Sequence, residues 1–131
     1  SVQDVELPFT RNYSSPGLQV ESFEAELVAD TKVLLTLTRG AQGVAEMQVV
    51  EKNTSIASMI VTGSGAQPCT LTFIAPRNGV YQFLVTHNNS ARAATKSNSG
   101  ELPRIAHGDT WLLSESASTD RCAAASIRLR Q

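Results

Sequence analysis

Apolar and polar side chains alternate along most of this chain in short runs broken by Gly, Pro, Asn, Asp and Ser, a pattern that fits half-buried strands and not helices. Between residues 18 and 28, Phe23, Ala25 and Leu27 fall on one side, with Glu24 and Glu26 on the other. Residues 32–38 group Val33, Leu35 and Leu37, and the following Arg39-Gly40-Ala41-Gln42-Gly43 predicts a reversal into a hairpin. Residues 44–51 align Ala45, Met47 and Val49. Residues 55–61 set Ala57, Met59 and Val61 against Ile56 and Ile60, and Glu51-Lys52-Asn53-Thr54 is the turn between the two runs. After a loop at 63–68, Cys69, Leu71, Phe73 and Ala75 alternate with Thr70 and Thr72. Pro76-Arg77-Asn78-Gly79 then predicts a tight turn, because Pro presets φ and Gly accepts positive φ; Tyr81, Phe83 and Val85 alternate beyond it.

Downstream the period fades. From His87 to Gly108 the residues are small, polar and aperiodic, which predicts a long polar loop at about 88–108 holding at most one helical turn over Ser90–Thr95. Trp111 and Leu113 mark a short strand, and 122–130 forms a closing strand with Ile127 and Leu129 inward and Arg128 and Arg130 outward. About eight strands with short connections predict an all-β fold, an antiparallel, jelly-roll-like β-sandwich, with residues 1–131 as a single domain.

A chain of 131 residues is long enough for one core, and 41% hydrophobic with 18% charged residues is a globular balance. Eleven Lys and Arg against 12 Asp and Glu leave a net charge of −1, with no field to draw in phosphate backbones, so nucleic acid is excluded as a partner class. The charge is uneven, however: Asp4, Glu6, Glu21, Glu24, Glu26 and Asp30 crowd the first thirty residues, whereas Arg121, Arg128 and Arg130 close the chain. No apolar run approaches the roughly 18–20 residues that span a bilayer.

Candidate chemistry is sparse. Ser64 in Gly63-Ser64-Gly65 lacks the flanking pattern of a nucleophile elbow, and His87, His107 and Asp109 have no spacing that demands an acid–base pair or a metal site. Asp109, Glu115 and Asp120 are too far apart for a calcium loop. The reading is therefore a non-enzyme with no catalytic residue, no metal and no cofactor. Cys69 and Cys122 match no zinc pattern, and their spacing permits either one disulfide or two free thiols. Arg92, Lys96 and Arg104 place three cations in the polar loop, where they suit an acidic patch on another protein or, alternatively, anionic headgroups at a membrane surface. Trp111, the only tryptophan, is either a core anchor or an exposed contact. Three Asn-x-Ser sequons, at Asn12, Asn53 and Asn88, lean the reading towards the secretory pathway or the outside of the cell.

The stretch Thr70-Leu-Thr-Phe-Ile-Ala-Pro-Arg-Asn-Gly-Val-Tyr-Gln-Phe-Leu-Val-Thr-His-Asn-Asn-Ser90 resembles the core of the GOLD (Golgi dynamics) domain, and Phe23-Glu-Ala-Glu-Leu-Val-Ala-Asp-Thr-Lys-Val-Leu-Leu-Thr-Leu37 is similar to that family's earlier strand pair. The resemblance implies a non-catalytic protein-interaction sandwich related to trafficking. A hairpin of the form Phe-x-Ala-Pro-x-x-Gly-x-Tyr-x-Phe is shared with pre-peptidase C-terminal domains, calpain domain III and C1q-like jelly rolls. Likeness to the pre-peptidase group implies instead a secreted accessory or inhibitor domain, with a bridge between Cys69 and Cys122. The cysteines of GOLD cargo receptors fall near Phe23 and Leu84 here, and residues 91–121 read as an insertion.

Overall fold

The computed structural model describes residues 2–14, 17–40, 43–63, 68–98, 110–112 and 121–127. These form eleven strands: β1 (Val2–Asp4), β2 (Phe9–Tyr13), β3 (Gln19–Leu27), β4 (Lys32–Arg39), β5 (Ala45–Glu51), β6 (Thr54–Thr62), β7 (Pro68–Ile74), β8 (Gly79–His87), β9 (Ala91–Asn98), β10 (Thr110–Leu112) and β11 (Arg121–Ile127). They assemble into a seven-stranded sheet of order β1-β3-β8-β5-β6-β11-β10 and a four-stranded sheet of order β2-β9-β4-β7. Every pairing is antiparallel except that of β1 with β3. The expected all-β sandwich is what the chain forms.

Period two decides what is inside. Phe23, Ala25 and Leu27 on β3, Val33, Leu35 and Leu37 on β4, Met47 and Val49 on β5, Leu71 and Phe73 on β7, and Tyr81, Phe83 and Val85 on β8 are all buried between the sheets. The rings interlock across the layer. Phe23 and Phe83, direct cross-strand partners in the larger sheet, stack at 5.0 Å and 9°; Phe9 of the smaller sheet leans on Phe23 at 4.5 Å. Phe73 meets Tyr81 edge-on at 5.6 Å. One departure from strict alternation sits on β6, where Ile56 and Ala57 are both buried while Ile60 is exposed. The register slips between Val49 and Val50, so Ile56 has no residue opposite it on β5 and turns inward as the extra residue of a bulge.

Turn chemistry follows the residues. Lys52 and Asn53 both take positive φ, 49° and 69°, which lets Glu51 pair directly with Thr54 across a two-residue hairpin. The adjacent β7–β8 turn is tied to it by an ion pair between Arg77 and the buried Glu51. The Tyr81 hydroxyl donates to the Arg77 carbonyl at 2.5 Å and accepts from the Arg77 amide at 3.2 Å. Burial pushes the Tyr81 phenol above its ordinary pKa.

Two expectations need correction, a hairpin and a loop. The turn after Arg39 does not close a hairpin, because β4 belongs to the four-stranded sheet and β5 to the seven-stranded one, so the chain crosses between the layers there. Three strands, β1, β2 and β9, stand beyond the eight expected. The most consequential is β9, because Ala91–Asn98 is no loop and no helical turn: it is an inner strand of the smaller sheet, hydrogen-bonded to β2 on one side and β4 on the other. Its core face consists of Ala91, Ala93 and Thr95, small groups that fill a narrow part of the layer and carry almost no hydropathy contrast. Residues 99–108, the remainder of the expected loop, lie outside the described residues.

The cysteines are joined. Cys69 on β7 and Cys122 on β11 form a disulfide with Cα atoms 5.4 Å apart, linking the smaller sheet to the larger, and no free cysteine is present. Of the two outcomes open in the sequence, the bridge is the one realised.

Candidate binding faces

Turning residues 91–98 into a strand reorganises the predicted cationic site. Arg92 and Lys96 are exposed and alternate with buried Ala91, Ala93 and Thr95, so both project from the outer face of the smaller sheet, about 13 Å apart along the strand. Arg92 is paired with Asn12 on β2 and Thr38 on β4; Lys96 is paired with Leu34, which is 40% exposed. Lys32 lies diagonal to Lys96 through its pairing with Asn98. Thr10, Thr36, Thr38, Thr70 and Thr72 also lie on the outer face of the same sheet, alongside Pro68, Ile74 and Ala94. Lys32 and these hydroxyls are site residues that sequence reasoning missed; with β9 read as a loop, nothing placed it beside β4.

The strands of this sheet contain Arg11, Lys32, Arg39, Arg92 and Lys96 and no Asp or Glu. The strands of the seven-stranded sheet contain Asp4, Glu21, Glu24, Glu26, Glu46 and Glu51, with Arg121 as their one Lys or Arg. A net charge near zero thus conceals a sandwich with one cationic and one anionic sheet. The Glu24 carboxyl is held above the usual carboxylate range, first by its hydrogen bond with the Asp4 carboxyl and further by burial and the like charge of Asp4.

The remaining predicted residues divide. Trp111 lies in β10, opposite Ser126 of β11. Arg104 and His107 lie outside the described residues. His87 is buried at the end of β8, where Nδ1 is 3.1 Å from the Asn89 carbonyl and the ring packs 5.6 Å from Tyr13. Around it the Asn88 side-chain oxygen accepts from the Val44 amide at 3.0 Å and the Gly40 amide donates to Ser90 O at 2.5 Å. These contacts hold two loops together at one end of the sandwich. Among the described residues, no three His, Cys, Asp or Glu gather as a metal would require.

Tyr13 adds a testable consequence of this packing. Burial pushes its phenol up to about 12, against a small opposing pull from Arg11, whose guanidinium sits 5.5 Å from the ring centroid. Below pH 10 the folded and unfolded chains both hold the proton and the stabilisation is complete. Between pH 10 and about 12 the unfolded chain ionises first, so stability falls as pH rises, by roughly 2–3 kcal/mol over the window. Chemical denaturation at pH 9 and pH 11.5 will show this loss in the native chain, and a clearly smaller one in Tyr13→Phe.

No family model and no curated protein matches the chain. Solved structures do. The chain is similar to the pre-peptidase C-terminal domain of a collagenase from Bacillus anthracis, with TM-score 0.56 and 11% identity over 73% of this chain and 95% of that one. It is similar to PliG of Aeromonas hydrophila, a periplasmic lysozyme inhibitor of g-type lysozyme, with TM-score 0.57 and 12% identity over 75% and 96%. It is also similar to CorA of Methylomicrobium album BG8, a surface-associated copper-binding protein, with TM-score 0.55 and 10% identity over 75% and 98%. At such identities the likeness shows the fold, which covers nearly all of each neighbour.

Proposed function

We propose that this chain is a non-catalytic protein-binding module of the secreted accessory or inhibitor kind, and that it engages its partner through the outer face of the four-stranded sheet. The observation that carries the reading is the segregation of charge: Lys32, Arg92 and Lys96 on a rigid sheet with no carboxylate in its strands, which suits an acidic patch on another protein. Rigidity counts because a preformed face loses little conformational freedom on binding. The Cys69–Cys122 bridge supports an oxidising compartment, where such bonds persist. A periplasmic lysozyme inhibitor and the pre-peptidase C-terminal domain of a collagenase among the fold neighbours favour this reading over a GOLD-type trafficking module.

The test is functional. Turnover of peptidoglycan by a g-type lysozyme, and of collagen by a secreted collagenase, is measured with and without an excess of the chain. At least a tenfold change in rate or substrate affinity in one assay is expected, abolished in the Arg92→Glu/Lys96→Glu variant. Unchanged turnover in both assays would remove the accessory and inhibitor reading; an effect that survives the charge reversal would remove the proposed face.

A further inference from the structure

We infer that the edge of β3 beyond β1 is a docking groove for an extended, lysine- or arginine-bearing segment of a partner protein, which joins the seven-stranded sheet as an added strand. β1 pairs with β3 for three residues only, Val2–Asp4 against Ser22–Glu24, whereas β3 runs on to Leu27. The Val5 amide makes one more bond, to Glu24 O at 2.9 Å; the chain then leaves the edge through Glu6, Leu7 and Pro8 to begin β2. The vacated line opens into a groove of about 690 Å³.

Its lining includes the consecutive residues Glu24, Ala25, Glu26, Leu27 and Val28. Successive residues of a strand point to opposite faces, and they do so here: Ala25 and Leu27 are buried, Glu26 and Val28 exposed. A cavity bordered by both faces of one strand runs along that strand's edge. No strand pairs with Ala25–Leu27 on that side among the described residues, so the edge offers main-chain groups that an incoming strand can use.

Charge and hydropathy select the occupant. Asp4, Glu6, Glu24 and Glu26 rim the groove, and among the described residues no Lys or Arg lines it. Glu24 and Asp4 stand close enough for a side-chain hydrogen bond and for like-charge repulsion, so a cationic side chain set beside them would offset that repulsion. Val28 and Val80, 67% and 52% exposed, flank the same edge and would be covered. An added strand turns alternate side chains to the two faces. One set meets Glu24 and Glu26 on the outside, the other meets Leu7 and Leu27 on the inside, and a segment alternating basic with apolar residues satisfies both. Thr31 and Ser97 line the groove but their neighbours Lys32 and Lys96 do not, so variants of Glu24 and Glu26 test it separately from the cationic face of the reading above.

The probe is a fluorescein-labelled peptide of four Lys-Val repeats, titrated into the native chain at low salt, with amide hydrogen exchange as the second readout. Saturable binding with new protection of the Glu26 amide, which faces the same edge as Glu24, is expected. Affinity is expected to fall at least tenfold for Glu24→Gln/Glu26→Gln, whose thermal midpoint verifies folding, and to hold for Arg92→Glu/Lys96→Glu. The same peptide N-methylated at alternate residues keeps its charge, loses its strand-pairing amides and is expected to bind at least tenfold more weakly to the native chain. Equal binding of the N-methylated peptide, protection confined to other strands, or no binding at all would overturn the inference. So would aggregation of the Gln variant with no peptide binding by the native chain, because the carboxylates would then serve only to keep the edge from pairing with other copies.

Discussion

Replacing both Cys69 and Cys122 with alanine, or reducing the native chain, lowers the melting temperature by about 10–20 °C. The bond joins residues 53 positions apart, and in the chain-entropy account a loop of that size stabilises the folded state by about 4 kcal/mol. Position adds to loop length. β7 is an edge strand of the smaller sheet, and β11 is held in the larger one by β6 and the three-residue β10. The bridge therefore closes one flank of the sandwich, while the chain crossing from β1 to β2 closes the other. Calorimetry with and without dithiothreitol gives the size of the effect, and the double-alanine variant should show no further response to reductant. A shift below about 3 °C would mean that packing of Cys69, Leu71 and Ala124 holds this flank without the covalent link.

The same geometry explains what could be read from the sequence. Strands β3 to β8 were legible because each sets bulky apolar groups against polar ones: Phe23 against Glu24, Leu35 against Thr36, Phe73 against Thr72. The β9 strand was not, because its buried positions are Ala91, Ala93 and Thr95 and the strand contrasts in charge and size more than in hydropathy. β1 and β2 carry few buried residues: they flank the sandwich, and only Tyr13 among their residues is fully buried. Missing β9 had a cost at the candidate site. Arg92 and Lys96 were recognised as exposed cations, but their alignment with Lys32 and the threonines depends on which strands become neighbours, and that is fixed by long-range pairing. The acidic start of the chain was visible too. That it encloses a groove follows only from the early departure of β1 from β3.

Truncating Phe83 to alanine costs about 3–5 kcal/mol, comparable to losing the disulfide, through a different mechanism. Phe83 is fully buried on β8, between β3 and β5, in the middle of the ladder on which the larger sheet is built. Its ring stacks on Phe23, which in turn supports Phe9 from the opposite sheet, so the deletion empties one layer of a three-ring column. Neighbouring backbone is paired on both sides and cannot collapse into the space, which places the cost towards the upper part of the range. In urea the midpoint should fall by roughly 2 M with the slope unchanged, and Phe83→Leu should recover more than half of the loss. An alanine variant that loses less than about 1.5 kcal/mol would show that the column contributes little beyond the area it covers. The contrast with Arg92→Glu/Lys96→Glu is the informative one: the charge reversal alters a solvated face and leaves the midpoint close to native, while Phe83→Ala lowers the midpoint and, wherever the chain remains folded, leaves the cationic face intact. Fold and binding thus draw on alternate residues of the same strands.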